Sequence, residues 1–174
     1  MLALLPNLLT LARCFAAVPI AWLIFHQNWL AAGLVLALAC ATDWLDGYLA
    51  RRLDATSAFG IWADPLADKI LLLGCFAGFV LDKNLPNFFL VCMGIIAARE
   101  LWMLVWRSVQ AGSGLVVPAS QTAKVKTVLQ FACLFAIIYY CSQPMSDWFF
   151  LAICILLVVT AILTWQSALQ YMKL

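Results

Sequence analysis

Charge is what this sequence has least of. Its 174 residues carry ten basic and eight acidic side chains, 10% of the chain. A soluble domain carries nearer ~25%. Polar runs are missing too: 67% of residues are hydrophobic, and the mean hydropathy is +1.03. Together these absences exclude an ordinary water-soluble class and point to a membrane protein. Only one histidine is present, His26, and the seven cysteines form no CxxC pair. A zinc site or a disulfide framework is therefore not expected, and the cysteines read as small apolar packers. The apolar segments are continuous and not alternating, which disfavours a membrane β-barrel. The start, "MLALLPNLLTLARCF", lacks both a basic region before the apolar run and a small-residue cleavage site. It is expected to begin the first spanning helix and not to be a cleaved signal. No internal repeat or low-complexity stretch is evident, and nothing implies a nucleic-acid partner.

What the chain does have is six apolar segments of spanning length, at roughly 5–26, 28–53, 58–81, 86–110, 120–142 and 147–170. Each is long enough for a hydrocarbon core of ~30 Å. The expected fold is all-α, a polytopic protein with six transmembrane helices. The segments use nearly the whole chain, so residues 1–174 are expected to form a single transmembrane catalytic domain. Arg51, Arg52, Arg107, Lys124, Lys126 and Lys173 gather on the even-numbered connections and the C-terminus. The positive-inside rule then places both termini in the cytoplasm.

Five of the eight acidic residues fall between positions 42 and 69, as Asp43, Asp46, Asp54, Asp64 and Asp68. Asp43 and Asp46 are spaced i, i+3; Asp64 and Asp68 are spaced i, i+4. Either spacing puts both carboxylates on one helix face. Four such groups at membrane depth repel one another and cost several kcal/mol each to desolvate. Either some are protonated, as in a proton path, or divalent cations neutralise them. Carboxylate oxygens without His or Cys point to Mg²⁺, Mn²⁺ or Ca²⁺. Gly47 and Gly60 allow a ligand close to the backbone, Arg51 can reach an anion, and Ser57 adds a hydroxyl. Metals, an arginine and close backbone approach are equipment for a diphosphate. A proton path needs neither the glycines nor the arginine.

The joint pattern is D-x2-D-G-x2-A-R-x8-G-x3-D-x3-D. It is filled by Asp43, Asp46, Gly47, Ala50, Arg51, Gly60, Asp64 and Asp68. It resembles the signature of the CDP-alcohol phosphatidyltransferase family, whose members move a phosphatidyl group from a CDP-linked lipid to an alcohol and release CMP. The resemblance implies that Asp43, Asp46 and Asp64 hold two Mg²⁺ or Mn²⁺ ions, with Asp68 close to them and acting as general base. It implies CDP-diacylglycerol contacts for Gly47, Arg51, Ser57 and Gly60. The stretch "LPNLLTLAR", from Leu5 to Arg13, resembles the family's first-helix entrance, which adds Asn7 and Thr10 to the CDP-lipid site. A homodimer, a lipid-bilayer setting and a bacterial cytoplasmic (inner) membrane location are implied in the same way.

For the acceptor, "ARELWMLVWR" puts Arg99 and Arg107 on one face of the fourth helix, and "KVKT" adds Lys124 and Lys126. Four cations with few anions suit an acceptor that carries its own phosphate. Glu100 points ~100° away from Arg99 around the helix, so it is not expected as its partner. These secondary motifs look most like the family branch whose acceptor is sn-glycerol 3-phosphate. The alternatives are phosphatidylglycerol, as in cardiolipin synthesis, or inositol phosphate. A different class, a divalent-cation transporter using the carboxylates as its path, has no use for Gly47, Arg51 or the cationic pocket.

Overall fold

A computed structural model describes residues 5–52, 58–82, 85–112, 121–144 and 146–172. Side chains are described except at 5–9, 44, 46–52, 58–65, 107–108, 110–112, 121–124 and 170–172. All the described secondary structure is helical. The elements are α1 Leu5–Phe25, α2 Trp29–Arg52, α3 Ala58–Leu81, α4 Asn87–Gly112, α5 Gln121–Ser142 and α6 Asp147–Met172. Each helix ends within two residues of the apolar segment read from the sequence. The residues from Asn87 to Trp106, Val125 to Ser142 and Asp147 to Leu169 are long and apolar enough to cross a membrane. The apolar stretches of α1 and α2, Thr10–Phe25 and Trp29–Asp43, are shorter. Phe15, Val18, Leu30, Leu38, Val128 and Trp148 are all exposed. Such an apolar exterior is a liability in water and suits a hydrocarbon surround.

The chain divides into two compact units, Met1–Lys83 and Asn84–Leu174. In the first, α1 packs against both α2 and α3. Small residues make the α1–α3 approach close. A Cβ placed on Gly74 would lie 2.8 Å from the Cβ of Ala17. One on Gly78 would lie 2.8 Å from the Ala21 carbonyl oxygen and 3.0 Å from the Ala21 Cα. Glycines four apart on one helix face alanines four apart on the other, the small-residue packing that membrane helices use in place of hydrophobic drive. The α1–α2 turn is closed by bonds from Gln27 N to the Ile24 carbonyl and from Asn28 N to the Leu23 carbonyl. That pattern places Gln27 in the left-handed region, with φ at 58°. The Gln27 side chain donates to Asp82 at the end of α3, and the Asn28 side chain caps α2 by accepting from Ala31 N.

In the second unit, α6 packs against both α4 and α5. Phe89, Met93 and Ile96 of α4, Leu134 and Ile137 of α5, and Ile153 and Leu157 of α6 are buried. The Ser146 carbonyl accepts from Phe149 N and Phe150 N in the first turn of α6, and Asp147 puts a negative charge at that helix's positive end.

The close α1–α3 contact generates a test. Gly78→Ala forces a methyl against Ala21 backbone and is expected to destabilise the protein by about 1–3 kcal/mol. Gly94→Ala is the control, since a Cβ there meets nothing within 4 Å. Melting of the detergent-solubilised variants decides the matter. Equal melting temperatures for Gly78→Ala and Gly94→Ala would show that α1 and α3 do not depend on this contact.

Candidate functional site

Each unit holds a cluster of charged side chains inside otherwise apolar helices. In the first unit, three helices contribute one member each. Arg13 of α1 has a side chain only 1% exposed. Its Nη1 lies 2.6 Å from Asp43 Oδ1 on α2 and donates to Asp68 Oδ1 on α3 at 3.2 Å. Thr10, one turn before Arg13, is buried on the same side of α1. The two carboxylates are partly open, 50% and 30% exposed, while the guanidinium beneath them is sealed. Desolvating a cation in this way is tolerable because two anions answer it. The two carboxylates are in turn held near one point by a shared nitrogen, although they belong to different helices.

Asp43 and Asp68 are thus brought together as the sequence pattern requires. Asn7, Asp46, Gly47, Arg51, Gly60 and Asp64 stand in helices, but at positions outside the described side chains, and Ser57 lies outside the described residues. Among the described residues, no group of three or more His, Cys, Asp or Glu side chains is arranged to hold a metal ion. The donor chemistry nonetheless fits a hard divalent cation, because the Asp43 and Asp68 oxygens already converge on one positive group. Arg13 was not anticipated as a site residue. Its signal in the sequence is an arginine in an apolar stretch with no neighbouring basic residue, which at membrane depth calls for a partner.

The second unit holds a buried network. Glu100 Oε1 accepts from Arg99 Nη1 at 2.8 Å, from Gln130 Nε2 at 3.0 Å and from Lys126 Nζ. Arg99 Nη2 donates to Ser167 Oγ at 2.6 Å, and Ser167 Oγ donates to the Thr164 carbonyl. All six residues are buried. Lys126 and Gln130 are spaced i, i+4 on α5; Thr164 and Ser167 are spaced i, i+3 on α6. Each helix therefore presents one polar face to the network. Arg99 and Lys126, both expected at the acceptor, do converge. Arg107 and Lys124 lie outside the described side chains.

One expectation is corrected here. Glu100 is a partner of Arg99, despite leaving the helix ~100° away from it. Both side chains are long enough to bend towards each other. Holding a rotamer ~30° off its minimum costs about 0.5–1.5 kcal/mol, whereas an uncompensated buried charge costs several. Pairing wins. Gln130, Thr164 and Ser167 belong to no motif in the sequence. Their signal was helical spacing of polar residues in apolar segments.

Comparison with known proteins places this geometry. The sequence model of the CDP-alcohol phosphatidyltransferase family matches residues 3–168. The chain belongs to that family. It is a transferase and an integral membrane protein, and the family is generally metal-dependent. A relative from Pseudomonas fluorescens is 35% identical over 97% of this chain and 88% of its own length. One from Escherichia coli (strain K12) is 33% identical over 97% of this chain and 93% of its own. One from Bacillus subtilis (strain 168) is 32% identical over 93% and 92%. All three are named CDP-diacylglycerol–glycerol-3-phosphate 3-phosphatidyltransferase.

The first cluster makes a prediction that is independent of turnover. Arg13→Met leaves Asp43 and Asp68 without their guanidinium and is expected to cost about 1.5–3 kcal/mol, the value of charge-assisted hydrogen bonds. Mn²⁺ held by the same two carboxylates would take over the role of the lost guanidinium. It is therefore expected to raise the melting temperature of Arg13→Met more than that of the parent. Equal shifts would show that Arg13 and the metal do not serve the same carboxylates.

Proposed function

We propose that the chain transfers the phosphatidyl group of CDP-diacylglycerol to sn-glycerol 3-phosphate, giving phosphatidylglycerophosphate and CMP. The observation that carries this reading is the set of relatives bearing that name, aligned along 93–97% of this chain. The acceptor cations agree with it: Arg99 and Lys126 converge on one buried point. Neither phosphatidylglycerol nor inositol phosphate as acceptor finds support among these relatives, and family membership leaves no place for the transporter reading.

In this proposal residues 1–174 act as one catalytic domain in a bacterial inner membrane, with the site and both termini facing the cytoplasm. A homodimer rests on family resemblance. Asn7, Thr10, Gly47, Arg51, Ser57 and Gly60 hold the CDP-lipid. Arg99, Arg107, Lys124 and Lys126 hold the phosphate of the acceptor, where charge-assisted hydrogen bonds are strongest. Asp43, Asp46, Asp64 and Asp68 would hold two Mg²⁺ or Mn²⁺ ions, which when bound neutralise charge on the diphosphate and on departing CMP.

The acceptor hydroxyl is a poor nucleophile until its proton is removed. Asp68 takes that proton while the hydroxyl oxygen forms a bond to the β-phosphorus, the one that carries diacylglycerol. The bond from that phosphorus to the bridging oxygen breaks, and the electron pair leaves with CMP. Arg13 keeps Asp68 in place through its 3.2 Å hydrogen bond.

The test is CMP release by purified protein in lipid nanodiscs, given CDP-diacylglycerol and one candidate alcohol at a time. Glycerol 3-phosphate is expected to trigger release, and phosphatidylglycerol and inositol phosphate are not. Asp68→Asn is expected to lower turnover roughly 10²–10⁴-fold while CDP-lipid affinity changes little. Release triggered by phosphatidylglycerol alone would move the chain to cardiolipin chemistry. Equal loss of lipid binding and turnover in Asp68→Asn would make that residue only another ligand.

A further inference from the structure

One carboxylate in the second unit does more than the transfer reaction asks of it. Glu100 is 2% exposed, yet a single one of its oxygens takes three donors from two helices. Two of those donors belong to the cations assigned above to the acceptor phosphate. The second arm of Arg99 is fixed from a third helix by Ser167. The guanidinium is thus oriented at both terminal nitrogens, by a carboxylate on one and a hydroxyl on the other.

We propose that Glu100 is a positioning residue for the acceptor: it clamps Arg99 and Lys126 side by side in the orientation that receives the phosphate of glycerol 3-phosphate, with Ser167 setting the rotation of the guanidinium. The inference rests on the reading that these two cations bind that phosphate. Two cations brought this close repel each other and separate unless an anion lies between them. Long, flexible side chains also lose rotamer freedom when a ligand orders them. A carboxylate that holds both beforehand removes that loss from the binding step.

A placeholder role, in which the acceptor phosphate displaces Glu100 from the cations, fits the structure less well. Gln130 is neutral and also donates to Glu100, so the carboxylate is anchored by more than the two charges. Its burial leaves no solvent into which it could swing. The two roles predict opposite signs. Removing a placeholder tightens acceptor binding, because an anion near the phosphate has gone. Removing a clamp weakens it.

The decisive variant is Glu100→Asp, which keeps the charge and withdraws it by one methylene, out of reach of three donors. Steady-state kinetics in nanodiscs are expected to show KM for glycerol 3-phosphate raised about tenfold or more, the size of one lost charge-assisted contact. KM for CDP-diacylglycerol is expected to stay within about threefold of the parent, as is kcat. Glu100→Gln keeps the length but removes the charge that holds the two cations together, and should raise the acceptor KM at least as much as Glu100→Asp. Ser167→Ala, a small deletion that keeps the fold, should raise the acceptor KM by about threefold with the CDP-lipid KM unchanged. It decides the matter if the Glu100 variants do not fold. An acceptor KM that falls in Glu100→Gln, or stays at the parent value in Glu100→Asp and in Ser167→Ala, overturns the proposal. Arg99→Ala separates this from failure of the underlying reading. If Arg99→Ala raises the acceptor KM and Glu100→Asp does not, only the clamp is wrong. If Arg99→Ala leaves it unchanged, the phosphate assignment itself is wrong.

Discussion

An ionised side chain within a bilayer has to be answered by an opposite charge, and that constraint organises both halves of this protein. Burying a single charge costs several kcal/mol even after relaxation, which is comparable to the whole stability of a small domain. Among the described residues, two clusters hold buried charge in mixed sets. Arg13 lies beneath Asp43 and Asp68, and Glu100 lies between Arg99 and Lys126. In the first set one cation serves two anions; in the second one anion serves two cations. The opposite bias of the two sets matches the two chemistries proposed, metal-assisted handling of a diphosphate and capture of a phosphorylated alcohol.

Charge compensation works only where helices are held at fixed distances. Lipid provides no hydrophobic drive between helices, so close backbone approach has to do this. Gly74 and Gly78 against Ala17 and Ala21 fix α1 on α3. That contact is continuous with the Arg13–Asp68 bond, since Arg13 precedes Ala17 by one turn and Asp68 precedes Gly74 by nearly two. At the far end of the same helices, Gln27 and Asp82 close the arrangement.

The sequence states the helices plainly, because continuous apolar runs of spanning length have few other solutions. The aspartate pattern is equally legible, because eight fixed positions with fixed spacers match the family signature. What escaped reading was pairing. Helical-wheel angles set Glu100 aside as a partner for Arg99, since they describe where a side chain departs and not where a long one arrives. Gln130, Thr164 and Ser167 were silent because each, taken alone, is an ordinary polar residue in a membrane helix. Only their meeting across α5 and α6 gives them a role. Arg13 closes the motif LPNLLTLAR, but its contacts are with residues 30 and 55 positions away and no local pattern encodes them.

If compensation of buried charge is the governing constraint, the effect of removing one charge depends on which others remain. The most direct measurement is a double-mutant cycle on Glu100→Gln and Lys126→Met, read as stability in nanodiscs together with acceptor use. Glu100→Gln alone leaves two buried cations facing each other. Adding Lys126→Met removes one of them and is expected to restore about 1–3 kcal/mol, although the same substitution in the parent stabilises nothing. The double variant should regain stability and still use glycerol 3-phosphate poorly. An identical effect of Lys126→Met in both backgrounds would contradict the account, because the buried charges would then be independent of one another.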